Sequence, residues 1–127
     1  MEVIKQTIEE EKIIKVDIGT EYDKESSTML GSVELDIENQ SQFVEIINSI
    51  FEEGLYSILV NMSNITYIDS SGLWALFEGH KKACQKNTKM VLVNPTKDVR
   101  RVLDITKMSS KMDIFETEKE AIKNLLV

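Results

Sequence analysis

In 127 residues the sequence has one cysteine, one proline, one histidine, one tryptophan and five glycines. Each scarcity excludes something. A lone Cys84 can form neither an internal disulfide nor a multi-thiolate metal site, which agrees with a reducing compartment. So little Gly and Pro excludes a collagen-like or linker-rich chain. No apolar run approaches the roughly 18 to 20 residues that span a bilayer. The opening MEVIKQTIEEEK also lacks the basic-then-apolar layout of a signal peptide. The expectation is a cytoplasmic protein without membrane insertion.

Positive charge is also in short supply. Fifteen Lys and Arg face 22 Asp and Glu, a net charge of -7, so direct nucleic-acid binding, which needs a cationic surplus, is not expected. The deficit is uneven: residues 1–60 carry 4 Lys against 14 acids, and residues 61–127 carry 11 Lys or Arg against 8, giving -10 and +3. Such asymmetry can be a solvated surface or can steer a partner toward one face. What the chain does have is 42% hydrophobic residues, enough for a core in a length that suits one domain of about 100 to 150 residues.

Hydrophobic periodicity locates the elements. Lys12 to Ile18 alternates, with Ile14, Val16 and Ile18 on one face of a strand. The polar run Thr20 to Ser27 reads as a turn, and Thr28 to Asp36 as a second strand. Phe43, Ile46, Ile47, Ile50 and Phe51 fall at helical spacing, and Gly54 can close that helix in the left-handed conformation. Ser57 to Met62 and Met90 to Val93 carry continuous apolar runs, as central strands do. Between them Leu73, Leu76, Phe77, His80 and Cys84 mark a helical stripe over Ser71 to Asn87, which places His80 and Cys84 in or beside the core. Val99, Val102, Leu103 and Thr106 suggest a further helix after Pro95. Ile114 and Phe115 read as a short edge strand, and Glu118 to Leu126 as a closing helix. This order gives an α/β layout with parallel strands joined by helical crossovers.

The stretch Asn64-Ile65-Thr66-Tyr67-Ile68-Asp69-Ser70-Ser71-Gly72-Leu73 leaves a buried strand, crosses a polar loop and enters a helix. Ser70 or Ser71 suits the N-cap, where a side-chain oxygen accepts from free amides. A helix start also tolerates an anion such as phosphate. The pattern alone serves a plain strand-to-helix cap and a functional serine equally well.

The longer segment NMSNITYIDSSGLWALFEGHKKA resembles the STAS domain family, particularly the bacterial anti-sigma-factor antagonists. In these an apolar strand and loop lead into Asp-Ser-Ser-Gly-Leu or Asp-Ser-Thr-Gly-Leu. Val33-Glu34-Leu35-Asp36 resembles the family's Gly-Glu-Leu-Asp, and Asn94-Pro95 through Thr106 its later strand-loop-helix. The resemblance implies one STAS domain over residues 1–127, an α/β fold with a mixed central β-sheet and helices packed mainly on one face. It implies a binding protein and not an enzyme, without catalytic residues, metal or cofactor of its own. Its implied partners are an anti-sigma factor that is also a serine kinase, which would supply ATP, metal and base, and a serine phosphatase. Ser70 is the implied phosphoacceptor, with Asp36 and Asp69 beside it and Ser71, Gly72 and Leu73 forming the contacted helix start. Trp74 stands where the family commonly has a small residue, and serves either as packing or as an interface anchor. A monomer is expected, because the corner must be free for its partner.

Three rivals are weighed against this. A serine hydrolase needs a base in reach of Ser70. The only histidine, His80, lies ten residues on along the same helix, about 15 Å away at 1.5 Å per residue. A phosphoacceptor Asp69 of the receiver type needs an acidic pair after the first strand to hold magnesium, and only Asp17 stands there. The third is an unphosphorylated STAS scaffold or adaptor, in a stress-sensing complex or a lipid transport system. Retention of both serines favours the phosphorylated antagonist over it.

Overall fold

The computed structural model describes residues 1–8, 10 and 12–126, so Glu9, Glu11 and Val127 of the expected domain lie outside the described residues. The chain opens on β1 (Glu2–Ile8), which pairs antiparallel with β2 (Ile13–Gly19), Ile8 lying opposite Ile13. The alternation of Ile14, Val16 and Ile18 produces β2 as expected, whereas β1 was not expected. The polar run after β2 is more than a turn: β3 (Glu21–Asp23) folds back on β4 (Thr28–Leu30) as a hairpin. The single strand expected over Thr28 to Asp36 is interrupted at Gly31, whose φ of +89° suits glycine. The chain then resumes as β5 (Val33–Leu35), which pairs elsewhere.

The helical stripe of Phe43 to Phe51 forms α1 (Gln40–Glu53), with Phe43, Ile47, Ile50 and Phe51 buried. Gly54 follows with φ 164° and ψ -175°, an extended backbone and not the left-handed closure expected there. Next come β6 (Ser57–Asn61), the unexpected β7 (Ile65–Ile68), α2 (Ser70–Gln85) and β8 (Met90–Val93). The chain ends with α3 (Lys97–Ile105), a 3-10 turn at Met108–Ser110, β9 (Ile114–Phe115) and α4 (Glu118–Leu125).

The main sheet runs β1-β2-β6-β8-β9, parallel except for β1, while β5 and β7 form a separate parallel pair. Alternation along β6 sends Ile58 and Val60 into one core and Leu59 into another. The first core is shared with α1, α2 and α3. The second is smaller and is covered by α4, where Ala121 sits over Ile13, Leu59, Val91 and Val93. The fold is therefore α/β with a mixed sheet and helices mainly on one face. Among the described residues, no helix is long and apolar enough to cross a membrane.

The buried face of α2 is built largely from small residues. Gly72, Leu73, Ala75, Leu76, Gly79 and Ala83 are buried, and the helix lies so close to β8 that a Cβ on Gly79 would come within 2.8 Å of Met90 Sδ. Of the expected stripe Leu73 and Leu76 are buried and His80 is half-buried beside the core, whereas Cys84 is exposed, not a core residue.

Candidate functional site

The β5–β7 pair delivers two chain ends to one corner. β7 ends at Ile68, and Asp69 takes an extended conformation (φ -108°, ψ -171°) as the N-cap of α2. Its Oδ1 accepts from the Gly72 amide at 3.0 Å, and its carbonyl accepts from Leu73 N at 2.9 Å. Neither serine is the cap, because the carboxylate one residue earlier already reaches the first-turn amide. Ser70 becomes the first helical residue. It is exposed, and among the described residues nothing hydrogen-bonds its hydroxyl; Ser71 is half-buried.

β5 arrives from the other side. The Leu35 carbonyl accepts from Asp69 N at 3.4 Å, and a Cβ on Gly72 would land on that same carbonyl oxygen. Such an approach leaves room only for glycine. Asp36, the next residue, is thereby held at the corner with Asp69 and Ser70. Its carboxylate accepts from Glu38 N at 3.0 Å, and its own amide donates to Asn39 Oδ1 at 2.9 Å. Both aspartates are thus engaged in starting helices, Asp69 for α2 and Asp36 in the turn before α1.

Of the remaining expected site residues, Gly72 and Leu73 are buried under the helix start and shape it from below. Trp74 is 48% exposed. One helical turn after Ser70, it continues the same outward ridge. Ile37, which follows Asp36 and is 69% exposed, adds an apolar side chain at the corner that periodicity did not single out. A second missed feature was readable in the sequence: no Lys or Arg occurs between Lys24 and Lys81, an interval holding nine carboxylates. Asp36 and Asp69 of this interval lie at the corner, with Glu34 and Glu38 two residues to either side of Asp36.

The chemistry open to this corner is that of a presented hydroxyl. His80 does not approach Ser70; its Nε2 lies 3.7 Å from Cys84 Sγ, farther along α2. Among the described residues, no three His, Cys, Asp or Glu side chains are grouped to hold a metal ion. The cap itself is testable. Asp69→Ala is expected to lose about 1 kcal/mol of stability, read as a Tm lower by a few degrees, with Asp69→Asn recovering most of the loss. An unchanged Tm for Asp69→Ala would remove the capping role.

Comparison with known proteins places this geometry. The STAS domain model matches residues 31–121, from Gly31 through the second core's Ala121. The anti-sigma-B factor antagonist of Staphylococcus aureus is 33% identical over 103 residues, which cover 80% of this chain and 94% of that protein. Among solved structures, the anti-sigma factor antagonist SpoIIAA in its unphosphorylated form superposes with a TM-score of 0.72. It is 19% identical, over 97% of this chain and 95% of its own. The Bacillus cell fate determinant SpoIIAA in the phosphorylated form gives a TM-score of 0.65 at 19% identity, over 97% and 98%. At such identities the two structures speak for the fold.

Proposed function

This chain belongs to the STAS domain family, and we propose on that premise that it is an anti-sigma-factor antagonist, a regulatory binding protein and not an enzyme. In this reading it is a single cytoplasmic domain, monomeric when free. Its unphosphorylated form captures an anti-sigma factor that is also a serine kinase. Phosphorylation of Ser70 releases the partner, and a serine phosphatase resets the switch. Asp36, Asp69, Ser71, Gly72, Leu73 and Trp74 form the contacted corner around it.

The observation that carries the reading is the state of Ser70: exposed, free of the cap, and first in the helix. Because Asp69 does the capping, modifying Ser70 removes no hydrogen bond on which α2 depends. Phosphate at a helix start meets unpaired amides and the positive end of the dipole, so the fold tolerates it. A partner closing over the corner does not tolerate it as well. The ester adds about -1.5 to -2 charges beside two carboxylates, and its oxygens must lose water as the interface closes. Release then follows without unfolding.

The test is to incubate the protein with candidate anti-sigma kinases of its own cell and ATP, and to map phosphate by mass spectrometry. Modification is expected at Ser70 and absent in Ser70→Ala, which retains binding. Phosphate at another residue, or none with any kinase that binds, would transfer the weight to a static scaffold.

A further inference from the structure

Charge reverses along α2. The end at Ser70 is anionic, whereas the segment from Lys81 to Lys89 contains four lysines (Lys81, Lys82, Lys86 and Lys89) and no acid. Lys81, Lys86 and Lys89 are exposed, and Lys82 is half-buried. Among the described residues only Lys81 has a carboxylate partner, Glu78 at 3.0 Å. The cluster is also shaped. Between the ends of α1 and α2 lies a recess of about 190 Å³ walled by Asn48, Phe51, Glu52, Lys82 and Lys86. It has a buried aromatic base and two cations against one carboxylate. On the other flank of α2, Lys111 extends the cationic surface, its Nζ lying 5.5 Å from the centre of the Phe77 ring.

We infer that this lysine-rich end of α2 is a second docking point, which receives an acidic surface of the partner whatever the state of Ser70. The inference rests on the function proposed above and adds to it. Charge complementarity identifies the occupant: a local cationic surface on a protein of net charge -7 recruits a locally acidic protein surface, while the overall charge repels nucleic acid and anionic membranes. Eleven residues of helix, about 16 Å at 1.5 Å per residue, separate Lys81 from Ser70. Sites this far apart act additively. The lysine end therefore speeds encounter and retains residual affinity in the phosphorylated protein, and the Ser70 end sets the difference between the two forms.

Two measurements decide it. The first uses the kinase found to modify Ser70 and the double variant Lys81→Glu/Lys86→Glu. This variant keeps the parent's circular dichroism but loses the Glu78 pair and places acid at the helix end, so that its Tm falls by a few degrees and binding is compared well below the transition. Binding is expected to weaken about tenfold, mainly through a slower association rate, with a shallower salt dependence. The affinity ratio of unphosphorylated to phosphorylated protein is expected to stay constant. Parent-like binding, or a changed ratio, overturns the inference while leaving the proposed function intact.

The second measurement needs no kinase. An octaglutamate peptide titrated into the labelled protein is expected to shift amides of residues 81–89 and not those of 69–74, equally with Ser70 free or replaced by Asp. No such shifts, or tighter binding of a single-stranded DNA of equal charge at these amides, would also overturn it. If no kinase binds or modifies the protein, the function fails in its own experiment and the peptide still reports on the lysine end.

Discussion

Ser70→Asp is expected to bind the kinase partner at least about 30-fold more weakly than the parent, while Ser70→Ala binds like the parent. A single uncompensated charge closed into an interface costs about 2 kcal/mol or more, and 1.4 kcal/mol is tenfold in affinity. The corner already holds Asp36 and Asp69, so a further carboxylate adds like charge that the unpaired first-turn amides and the helix dipole offset only in part. Aspartate carries less charge than phosphate and is smaller, so the phosphorylated protein is expected to lose more. The same substitution carries its own control. An acidic residue in the first turn favours the helix dipole, so the Tm of Ser70→Asp should equal or exceed that of the parent, and weakened binding cannot then be assigned to misfolding. Trp74, half exposed one turn away, supplies the readout, since its emission changes when the corner is covered. Parent-like affinity for Ser70→Asp, in a complex whose formation alters Trp74 emission, would refute release by charge burial.

The elements legible in the sequence were those with one sustained period. The i, i+3, i+4 spacing gave α1, and unbroken apolar runs gave β6 and β8. β1 was illegible because it pairs on one side only and leaves Lys5, Gln6 and Thr7 exposed, which blurs the alternation. β7 was illegible for a different reason. Ile65 and Ile68 are buried while Thr66 and Tyr67 between them are exposed, a spacing of three that no strand template contains. Cys84 was misplaced because apolar periodicity weights large side chains, whereas α2 packs close through Gly72, Ala75, Gly79 and Ala83.

Asp69, Ser70 and Trp74 are neighbours in one helix turn, so their adjacency is readable locally. The resemblance had also named Asp36, 33 residues before Asp69. What no local pattern contained was the means by which Asp36 is held there: the Leu35 carbonyl seated on Gly72, a non-local contact that depends on the pairing of β5 with β7.

That contact has the largest expected effect on stability. Gly72→Ala should help the helix, since alanine is favoured over glycine by about 1 kcal/mol in a helix interior, and Gly31, not Gly72, is the glycine with positive φ. The added methyl group, however, falls on the Leu35 carbonyl oxygen and within 2.7 Å of Ile68 Cγ1. A backbone carbonyl fixed in a strand pair cannot swing aside. The strand end or the helix start must move, a kind of overpacking that costs roughly 1 to 3 kcal/mol. The clash is expected to win by a net of up to about 2 kcal/mol, with Tm lower by up to roughly 8 °C, read by thermal denaturation. Gly79→Ala supplies the contrast. Its nearest obstacle is Met90 Sδ at 2.8 Å, a flexible side chain that can yield, so it should fall much less or gain. Moving β5 also displaces Asp36 from Ser70, so Gly72→Ala should lose partner binding beyond what its reduced folded fraction explains. Should Gly72→Ala prove as stable as Gly79→Ala, the close approach of β5 to α2 is wrong, and with it the means by which two distant aspartates are brought to one serine.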